Sequence, residues 1–185
     1  MTKRLFLITF LFSAVGAQEW FAWEGDVCRT ISVDMKCTFL NNLVDGVEFV
    51  SDTKKSWFVP LALYTIGGER EYQAAKLATA SLVLSGVTVI GLKYTVNRQR
   101  PSGEYSRWDS SFPSGHTATA VTTSIVYSKF YPKLTIPLIL YSSMVGFARV
   151  YAQEHYPTDV LAGAILGAGI SYVVLNFKDE IISFP

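Results

Sequence analysis

Charged residues are scarce in this chain: only 17% of its 185 residues are Asp, Glu, Lys or Arg, whereas 50% are hydrophobic. An ordinary soluble domain carries about 25% charged residues, so this composition is unusually apolar. The formal net charge is only +1. This near-neutral balance argues against a nucleic-acid-binding protein that works through an overall positive field, and we expect no nucleic-acid partner.

The sequence also lacks fixed-period repeats, low-complexity tracts and long blocks of one charge sign, which excludes repeat and solenoid architectures. Alternating apolar and polar positions, the pattern typical of strands, are nearly absent. A length of 185 residues suffices for one domain with a real core but not for two comfortable ones. These absences predict an all-α chain.

The N-terminal residues 1–17 have the layout of a secretory signal peptide. Lys3 and Arg4 precede an apolar stretch, and Val15-Gly16-Ala17 forms a small-residue cleavage site. An uncleaved N-terminal anchor is the alternative. In both cases we expect residues 18–55 to lie outside the cytoplasm.

Cysteine is rare as well, and the only two cysteines, Cys28 and Cys37, fall in that exported segment. An oxidising compartment favours a disulfide between them, which is our preferred expectation. Two small buried apolar side chains are the alternative. Apolar positions between residues 31 and 50 have an irregular helical spacing that predicts amphipathic or interfacial helices. Trp20, Phe21 and Trp23 suit a membrane boundary or the core of a small cap.

Residues 56–185 contain the segments apolar enough for a membrane. One weak segment precedes four strong ones, and we expect an integral membrane helix bundle of about five or six spans. Small residues within these segments favour close helix contacts. The apolar segments are residues 57–66, 74–96, 114–131, 134–151 and 158–177, and the small residues singled out are Gly86, Gly91, Gly163, Gly167 and Gly169.

Counting crossings from an exported segment places the loops 93–113 and 149–159 together on the outer face. Lys129, Lys133 and Lys178 then fall on the cytoplasmic side, in agreement with the positive-inside tendency. These two loops hold nearly all the polar residues that require an explanation.

The first polar group ends a long apolar helix, where Lys93, Arg98 and Arg100 precede Pro101. A charge in mid-membrane costs about 3 kcal/mol, so three cations belong at the boundary. They bind an anion there, or they extend toward the lipid headgroups as anchors.

The second group is Pro113-Ser114-Gly115-His116, at the start of a small, Thr-rich apolar run. Ser114 suits a helix N-cap, and Gly115 leaves room for a ligand to approach the backbone. The first amides of a helix are unpaired donors at the positive end of its dipole, which favours an anion beside His116. A capped helix with a surface histidine is the alternative.

In the third group Arg149 closes one apolar segment, while His155 and Asp159 bracket the start of the next. A carboxylate near an imidazole fixes its tautomer and leaves the other nitrogen as a nucleophile or base. The chain contains only two histidines. With three cations around one helix start, this pair suits phosphate chemistry, in which one imidazole attacks phosphorus and the other protonates the leaving oxygen.

The three groups resemble the signature motifs of the type 2 phosphatidic acid phosphatase superfamily. The matching residues are Lys93-x6-Arg100-Pro101, Pro113-Ser114-Gly115-His116 and Arg149-x5-His155-x3-Asp159, and the resemblance covers about residues 74–177. One position departs from the pattern, because Ala148 stands where that family usually has serine.

The resemblance implies the acid phosphatase/haloperoxidase-like four-helix core and a role for each motif residue. His155 is the expected nucleophile, Asp159 orients and polarises it, and His116 is the general acid. No cofactor or metal is implied. The residues expected to hold the phosphoryl oxygens are Lys93, Arg100, Ser114, Gly115 and Arg149.

A membrane bundle with such a site predicts a phosphatase for a lipid phosphate or pyrophosphate in the bacterial cytoplasmic membrane, with its site facing the periplasm or exterior and no obligatory protein partner. The family's plausible substrates are lipid A 1-phosphate, phosphatidylglycerol phosphate and undecaprenyl pyrophosphate. Alternatives are a soluble exported acid phosphatase, a vanadium haloperoxidase and a non-catalytic lipid-phosphate binder. Arg98, Arg107 and Trp108 contact the headgroup or anchor at the interface.

Overall fold

A computed structural model describes residues 22–104 and 106–184 of the chain. The expected signal peptide or anchor at residues 1–17 therefore lies outside the described residues, and so do Trp20 and Phe21. Within the described ranges the regular structure is helical and contains no strand. The predicted all-α class is confirmed.

Within the segment expected to be exported, residues 22–51 form two helices joined by an irregular turn. Helix α1 spans Ala22–Arg29, a single π-helical turn spans Thr30–Asp34, and helix α2 spans Thr38–Ser51. The apolar face of α2 packs on the bundle through Val44, which lies in one buried cluster with Ala148 and Tyr151. The rings of Phe39 and Phe49 on α2 are exposed.

The bundle consists of five helices followed by a short terminal one. Two short 3-10 turns, Lys55–Trp57 and Pro132–Leu134, directly precede the first and fourth of these helices. The helices are α3 Phe58–Ile66, α4 Glu69–Val96, α5 Gly115–Phe130, α6 Thr135–Tyr151, α7 Pro157–Asn176 and α8 Lys178–Ser183.

Three of these helical stretches within the described residues are long and apolar enough to cross a membrane: Glu69–Val96, Pro132–Tyr151 and Pro157–Asn176. Helices α3 and α5, with 9 and 16 residues, are shorter than the ~20 residues of a full span. The predicted membrane bundle is confirmed, and a total of five or six spans stays a prediction.

Large apolar side chains face outward along the three long helices, as expected where the surrounding medium is hydrocarbon. An exposed apolar belt of this size is unusual for a soluble protein, which favours the membrane bundle over a soluble exported form. Examples are Val87, Ile90, Ile136, Leu140, Leu161 and Ile165.

Helix α5 lies at the centre of the bundle and packs against α4, α6 and α7. Its approach to α7 is close because two glycines of α7 face its backbone. A Cβ added at Gly163 would lie 2.5 Å from the Ser114 carbonyl oxygen, and one at Gly167 would lie 2.6 Å from that of Ala118. The prediction of close contacts at these two glycines is confirmed.

The same prediction is wrong for Gly86, Gly91 and Gly169. A Cβ added at any of them would meet nothing within 4 Å. The spacing of glycines along an apolar helix therefore did not indicate which side of the helix faces a neighbour.

The expected disulfide is also wrong, because Cys28 and Cys37 are both free. Cys28 is buried in α1 and its thiol lies 3.9 Å from the backbone oxygen of His155. Cys37 is exposed at the start of α2. The π-helical turn between the two positions thus separates one buried thiol from one exposed thiol.

The glycine contacts of α7 give the first testable prediction. Gly167→Ala should lower the free energy of unfolding by about 1–3 kcal/mol, because the added methyl overlaps the Ala118 carbonyl. Gly169→Ala is the matched control on the same helix, where open space and the better helix propensity of alanine predict no loss. Unfolding monitored by circular dichroism in detergent measures both. Equal stability of the two variants would contradict the packing of α5 on α7.

Candidate active site

Two loops of the bundle meet at one end, as the sequence predicts. The loop after α4 and the loop before α7 are joined by main-chain hydrogen bonds, from the Ser102 amide to the Gln153 carbonyl at 3.0 Å and from the Ser114 amide to the Asp159 carbonyl at 3.0 Å. A third bond, from the Ser111 amide to the Arg98 carbonyl at 2.7 Å, folds the first loop on itself. All three motifs therefore share one end of the bundle.

Ser114 forms the N-cap of α5, as predicted. Its hydroxyl oxygen accepts from the Thr117 amide at 3.5 Å and lies 2.9 Å from the Thr117 hydroxyl. Gly115 is the first residue of α5. Because the first amides of a helix lack partners within the helix, this end presents donors and a positive dipole to an anion.

His155 is almost completely buried, at 1% exposure. Its Nδ1 lies 2.6 Å from the backbone oxygen of Ser111. A carbonyl oxygen only accepts hydrogen bonds, so Nδ1 carries the proton and Nε2 keeps a lone pair. The ring is thus held in the tautomer that a nucleophilic Nε2 requires.

The direct contact that we expected between Asp159 and His155 is replaced by an indirect one. The Asp159 carboxylate accepts from the Ser111 hydroxyl at 2.5 Å, from the Tyr156 amide at 2.9 Å and from Arg98 Nη1 at 2.6 Å. Since the Ser111 carbonyl accepts from the imidazole, Ser111 connects Asp159 to His155. Sequence reasoning missed Ser111 because a backbone oxygen leaves no signature in the residue type.

Both expectations for Arg98 are wrong. Its guanidinium neither anchors at an interface nor lies open to a headgroup, because it pairs with Asp159 and with the Glu24 carboxylate of α1 and stacks 4.1 Å from the centre of the Tyr156 ring. Arg107 and Trp108 are different: both pack on the Tyr94 ring, where Trp108 remains exposed.

Lys93 and Arg100 are buried and paired with carboxylates. Arg100 Nη2 lies 2.7 Å from Asp109 Oδ1, and its Nη1 pairs with Glu154. Lys93 Nζ lies 3.6 Å from the same Asp109 oxygen and donates to the Ser110 carbonyl. Because the Asp109 side chain is mostly exposed, a competing anion can reach Lys93 and Arg100 from solvent.

Arg149 is buried at the end of α6 and pairs with Glu48 of α2 at 2.5 Å. Its Nε has no hydrogen-bond partner within the described part of the chain. A buried donor of this kind is costly unless a ligand or water satisfies it. The neighbouring Ala148, where the family pattern has serine, lies in the apolar cluster between α2 and α6, an environment that disfavours a hydroxyl.

Burial holds the pKa of His155 well below its ordinary value, and the positive charges of Lys93 and Arg100 act in the same direction. The hydrogen bond to the Ser111 carbonyl opposes this lowering of the pKa, whereas the charge of His116 adds to it. His155 is therefore neutral at neutral pH, as a nucleophile must be. Lys93 and His155 donate to the backbone oxygens of the adjacent residues Ser110 and Ser111, so this cation and this imidazole lie close together.

Acidic partners are the main class of residue that sequence reasoning missed at this site. They come from α1, α2 and both loops, and only Glu154 stands next to a motif residue in the sequence. The missed acidic partners are Glu24, Glu48, Asp109 and Glu154.

Within the described ranges no group of three or more His, Cys, Asp or Glu side chains could hold a metal ion.

An apolar cavity of about 540 Å³ lies between α3, α5 and α6. Thr123 and Tyr127 contribute its α5 wall, and Val59 and Leu63 its α3 wall. His116, Thr123 and Tyr127 recur at spacings of seven and four residues, so they share one face of α5. The cavity therefore begins about 10 Å along the helix from His116, at a rise of 1.5 Å per residue.

The PAP2 superfamily profile matches residues 74–182. This range contains all three motifs and helices α5 to α7, together with most of α4 and α8.

Curated relatives include three that act on lipids according to their names. Undecaprenyl-diphosphatase BcrC of Bacillus subtilis is 34% identical over 76 residues, 41% of this chain and 39% of its own length. Lipid A 1-phosphatase of Rhizobium johnstonii is 30% identical over 103 residues, 49% of this chain and 42% of its own. Undecaprenyl-diphosphatase of Sulfolobus acidocaldarius is 28% identical over 193 positions, 94% of this chain and 88% of its own. The chain thus spans about two fifths of the first two relatives.

Two solved structures share the fold. The crystal structure of Aquifex aeolicus LpxE matches with a TM-score of 0.74 at 26% identity, over 85% of this chain and 98% of that chain. A PAP2-type phosphatidylglycerolphosphate phosphatase of Bacillus subtilis matches with a TM-score of 0.68 at 22% identity, over 98% of both chains. The second likeness concerns the fold alone.

The cations around His155 predict a measurable change of its pKa. Arg100→Gln removes a positive charge that disfavours the imidazolium, so the pKa of His155 should rise. Arg107→Gln removes an equal charge from the Tyr94 ring and should leave it unchanged. Histidine ¹⁵N resonances followed across pH in detergent measure the pKa, and a chain with two histidines keeps the spectrum simple. An equal response to both substitutions would contradict the electrostatic arrangement.

Proposed function

Because the chain belongs to the PAP2 superfamily, we propose that it is a membrane phosphatase that hydrolyses a phosphate monoester or pyrophosphate of a lipid through a phosphohistidine intermediate. The observation that carries the proposal is the tautomer and the neutral charge of the His155 ring. Its Nδ1 donates to the Ser111 carbonyl, which leaves Nε2 free to attack, and burial beside cations keeps the ring neutral.

The proposed reaction has two steps. Burial and the charge of Arg149 lower the pKa of His116 to about 4, while Glu154 and Asp52 act in the opposite direction. The negative charge of a bound phosphate favours the protonated ring, which the proposed acid role requires. His155 Nε2 attacks phosphorus, the bond to the lipid oxygen or bridging phosphate oxygen breaks, and protonated His116 gives its proton to that oxygen. Water then attacks the phosphohistidine while His116 takes up its proton. Inorganic phosphate leaves, both imidazoles return to their starting states, and no metal is required.

The phosphoryl oxygens are proposed to bind where carboxylates now pair with the cations. Lys93, Arg100 and Arg149 supply the positive charge, and the α5 start at Ser114 and Gly115 supplies amides. A phosphate competes well there, because charge-assisted hydrogen bonds to a group with several anionic oxygens are strong. The unpaired Nε of Arg149 gives such a ligand one donor that no described residue uses.

The apolar cavity supports a lipid as the leaving group. His116 protonates the leaving oxygen, and the α5 face below His116 leads to Thr123 and Tyr127 in the cavity wall. A hydrocarbon chain attached to the leaving oxygen can therefore extend from His116 into apolar surroundings.

The relatives favour two substrate groups, polyprenyl pyrophosphates and lipid A 1-phosphate, because their names specify an undecaprenyl diphosphate or lipid A. Phosphatidylglycerol phosphate is a third candidate. The proposed location is the bacterial cytoplasmic membrane with the site on the periplasmic or exterior side, since α1 and α2 pack at the same end of the bundle as the motifs.

His155→Ala should reduce phosphate release from the preferred lipid by about 10³-fold or more, because no other group replaces the nucleophile. The measurement is phosphate release in detergent micelles across the three lipid candidates, with the unfolding midpoint as a folding control. EDTA should leave the wild-type rate unchanged. Near-wild-type turnover by His155→Ala, or strong inhibition by EDTA, would contradict the mechanism.

Val59→Phe should raise KM for a long-chain lipid phosphate by about 10-fold, equivalent to ~1.4 kcal/mol, because the larger ring fills the cavity. A short-chain soluble phosphate ester should keep its KM. Leu61→Phe, an exposed position on the same helix α3, is the control and should change neither value. A similar KM for the long-chain lipid in both variants would exclude this cavity as its binding site.

A further inference from the structure

We infer that Glu24 and Arg98 form a positioning unit through which helix α1 sets the orientation of the nucleophile His155. The inference rests on the proposed function, because it assigns His155 as the nucleophile. It concerns Arg98, at an unspecified position within the first motif, and Glu24, in the segment that precedes the family match.

The first link is the guanidinium of Arg98, which joins three groups. Its Nη1 donates to Asp159 Oδ1 at 2.6 Å and to the Thr158 hydroxyl at 3.0 Å, while its Nη2 pairs with Glu24 Oε2. The Tyr156 ring covers one face of the guanidinium at 4.1 Å. A planar guanidinium group that is bonded through both Nη atoms and stacked on one face has little freedom to rotate.

The second link runs from Asp159 to the imidazole. Asp159 Oδ1 takes the bond from Arg98, and Oδ2 accepts from the Ser111 hydroxyl at 2.5 Å. The Ser111 carbonyl then accepts from His155 Nδ1 at 2.6 Å. The orientation of the catalytic ring therefore depends on where Asp159 holds Ser111, and the position of Asp159 depends on Arg98.

The third link is burial, which makes the chain of contacts stiff. Glu24 is 1% exposed, and Ser111 and Asp159 are fully buried. A buried carboxylate is stable only when its charge is matched, so Glu24 and Asp159 both require Arg98. Loss of one partner cannot be compensated by water, and the remaining groups must move.

A second contact brings α1 to the same loop. The Cys28 thiol, one turn after Glu24, lies 3.9 Å from the His155 carbonyl. Burial, with the nearby carboxylates Glu24 and Asp159, raises the pKa of Cys28 to about 11, so the thiol is neutral and adds no charge. Helix α1 thus contacts the His155 residue from its backbone side and controls its ring through Arg98.

A purely structural ion pair would hold α1 in place without affecting the chemistry of the folded enzyme. The two roles differ in what they change. Neither Glu24 nor Arg98 pairs with the expected phosphate-binding cations, so a positioning role predicts a lower kcat at constant KM. A structural role predicts less folded enzyme with unchanged constants per active molecule.

The central variant is Glu24→Gln, which keeps the shape of the side chain and removes its charge. Asp26→Asn is the matched control, because Asp26 is an exposed carboxylate on the same helix. Glu24→Asp restores the charge and should recover part of the activity. Arg98→Lys keeps a positive charge, but a single ammonium group cannot reproduce the two separate contacts that the guanidinium makes with Asp159 and Glu24.

We expect kcat to fall about 10-fold in Glu24→Gln and at least as much in Arg98→Lys, with KM within about 2-fold of wild type. Both variants disrupt the same Glu24–Arg98 ion pair. The kcat of the double variant should therefore be no more than about 3-fold below that of Arg98→Lys alone. Rates are normalised to folded enzyme by thermal unfolding. A loss in Glu24→Gln no larger than in Asp26→Asn, or a rise in KM that matches the fall in kcat, would overturn the inference.

A second readout does not depend on turnover. In protein labelled with ¹⁵N-histidine and carrying a tag without histidine, wild-type His155 should show the Nδ1-protonated tautomer. Glu24→Gln should give a mixture of tautomers, whereas Asp26→Asn should not. If wild-type protein releases no phosphate from any lipid, the proposed function fails and this measurement alone decides the inference. An unchanged tautomer in Glu24→Gln overturns it.

Discussion

The site depends on the close approach of α5 and α7. Gly163 and Gly167 present no side chain to α5, so the α5 backbone approaches α7 closely at these two positions. This contact places the capped start of α5 beside the start of α7, where the Ser114 amide donates to the Asp159 carbonyl. The capped start of α5, the two loops and His155 share one position because these two helices cannot separate without losing that packing.

The second constraint is electrostatic. The site buries several cations at one end of an apolar bundle, and buried charges require partners. Carboxylates of α1, α2 and the two loops provide them, and they differ in exposure. Asp109 is mostly exposed and Glu48 and Glu154 are about one-third exposed, whereas Glu24 is buried. The more exposed carboxylates suit exchange with the proposed substrate phosphate, and Glu24 suits a permanent contact that positions Arg98.

Much of the fold could be predicted from the sequence because apolar segments report directly on burial in a membrane bundle. The predicted segments 114–131, 134–151 and 158–177 correspond closely to α5, α6 and α7, and the Ser114 cap was predicted from its residue type. The disulfide, the roles of Gly86, Gly91 and Gly169, and the environment of Arg98 were predicted wrongly. Each of those depends on which way a side chain or a helix face points, and composition and spacing carry little information on that.

The sequence by itself determined the chemical groups of this protein: two histidines, the motif cations and a helix start that favours an anion, all carried by local spacing. Tertiary structure decided how those groups are connected. Only the folded chain showed that the backbone carbonyl of Ser111 accepts from His155 Nδ1, that Asp159 is connected to His155 through Ser111, and that Glu24 reaches Arg98 across 74 positions. The physical reason is that hydrogen bonds to backbone atoms and ion pairs between distant segments depend on three-dimensional packing, which no local pattern encodes.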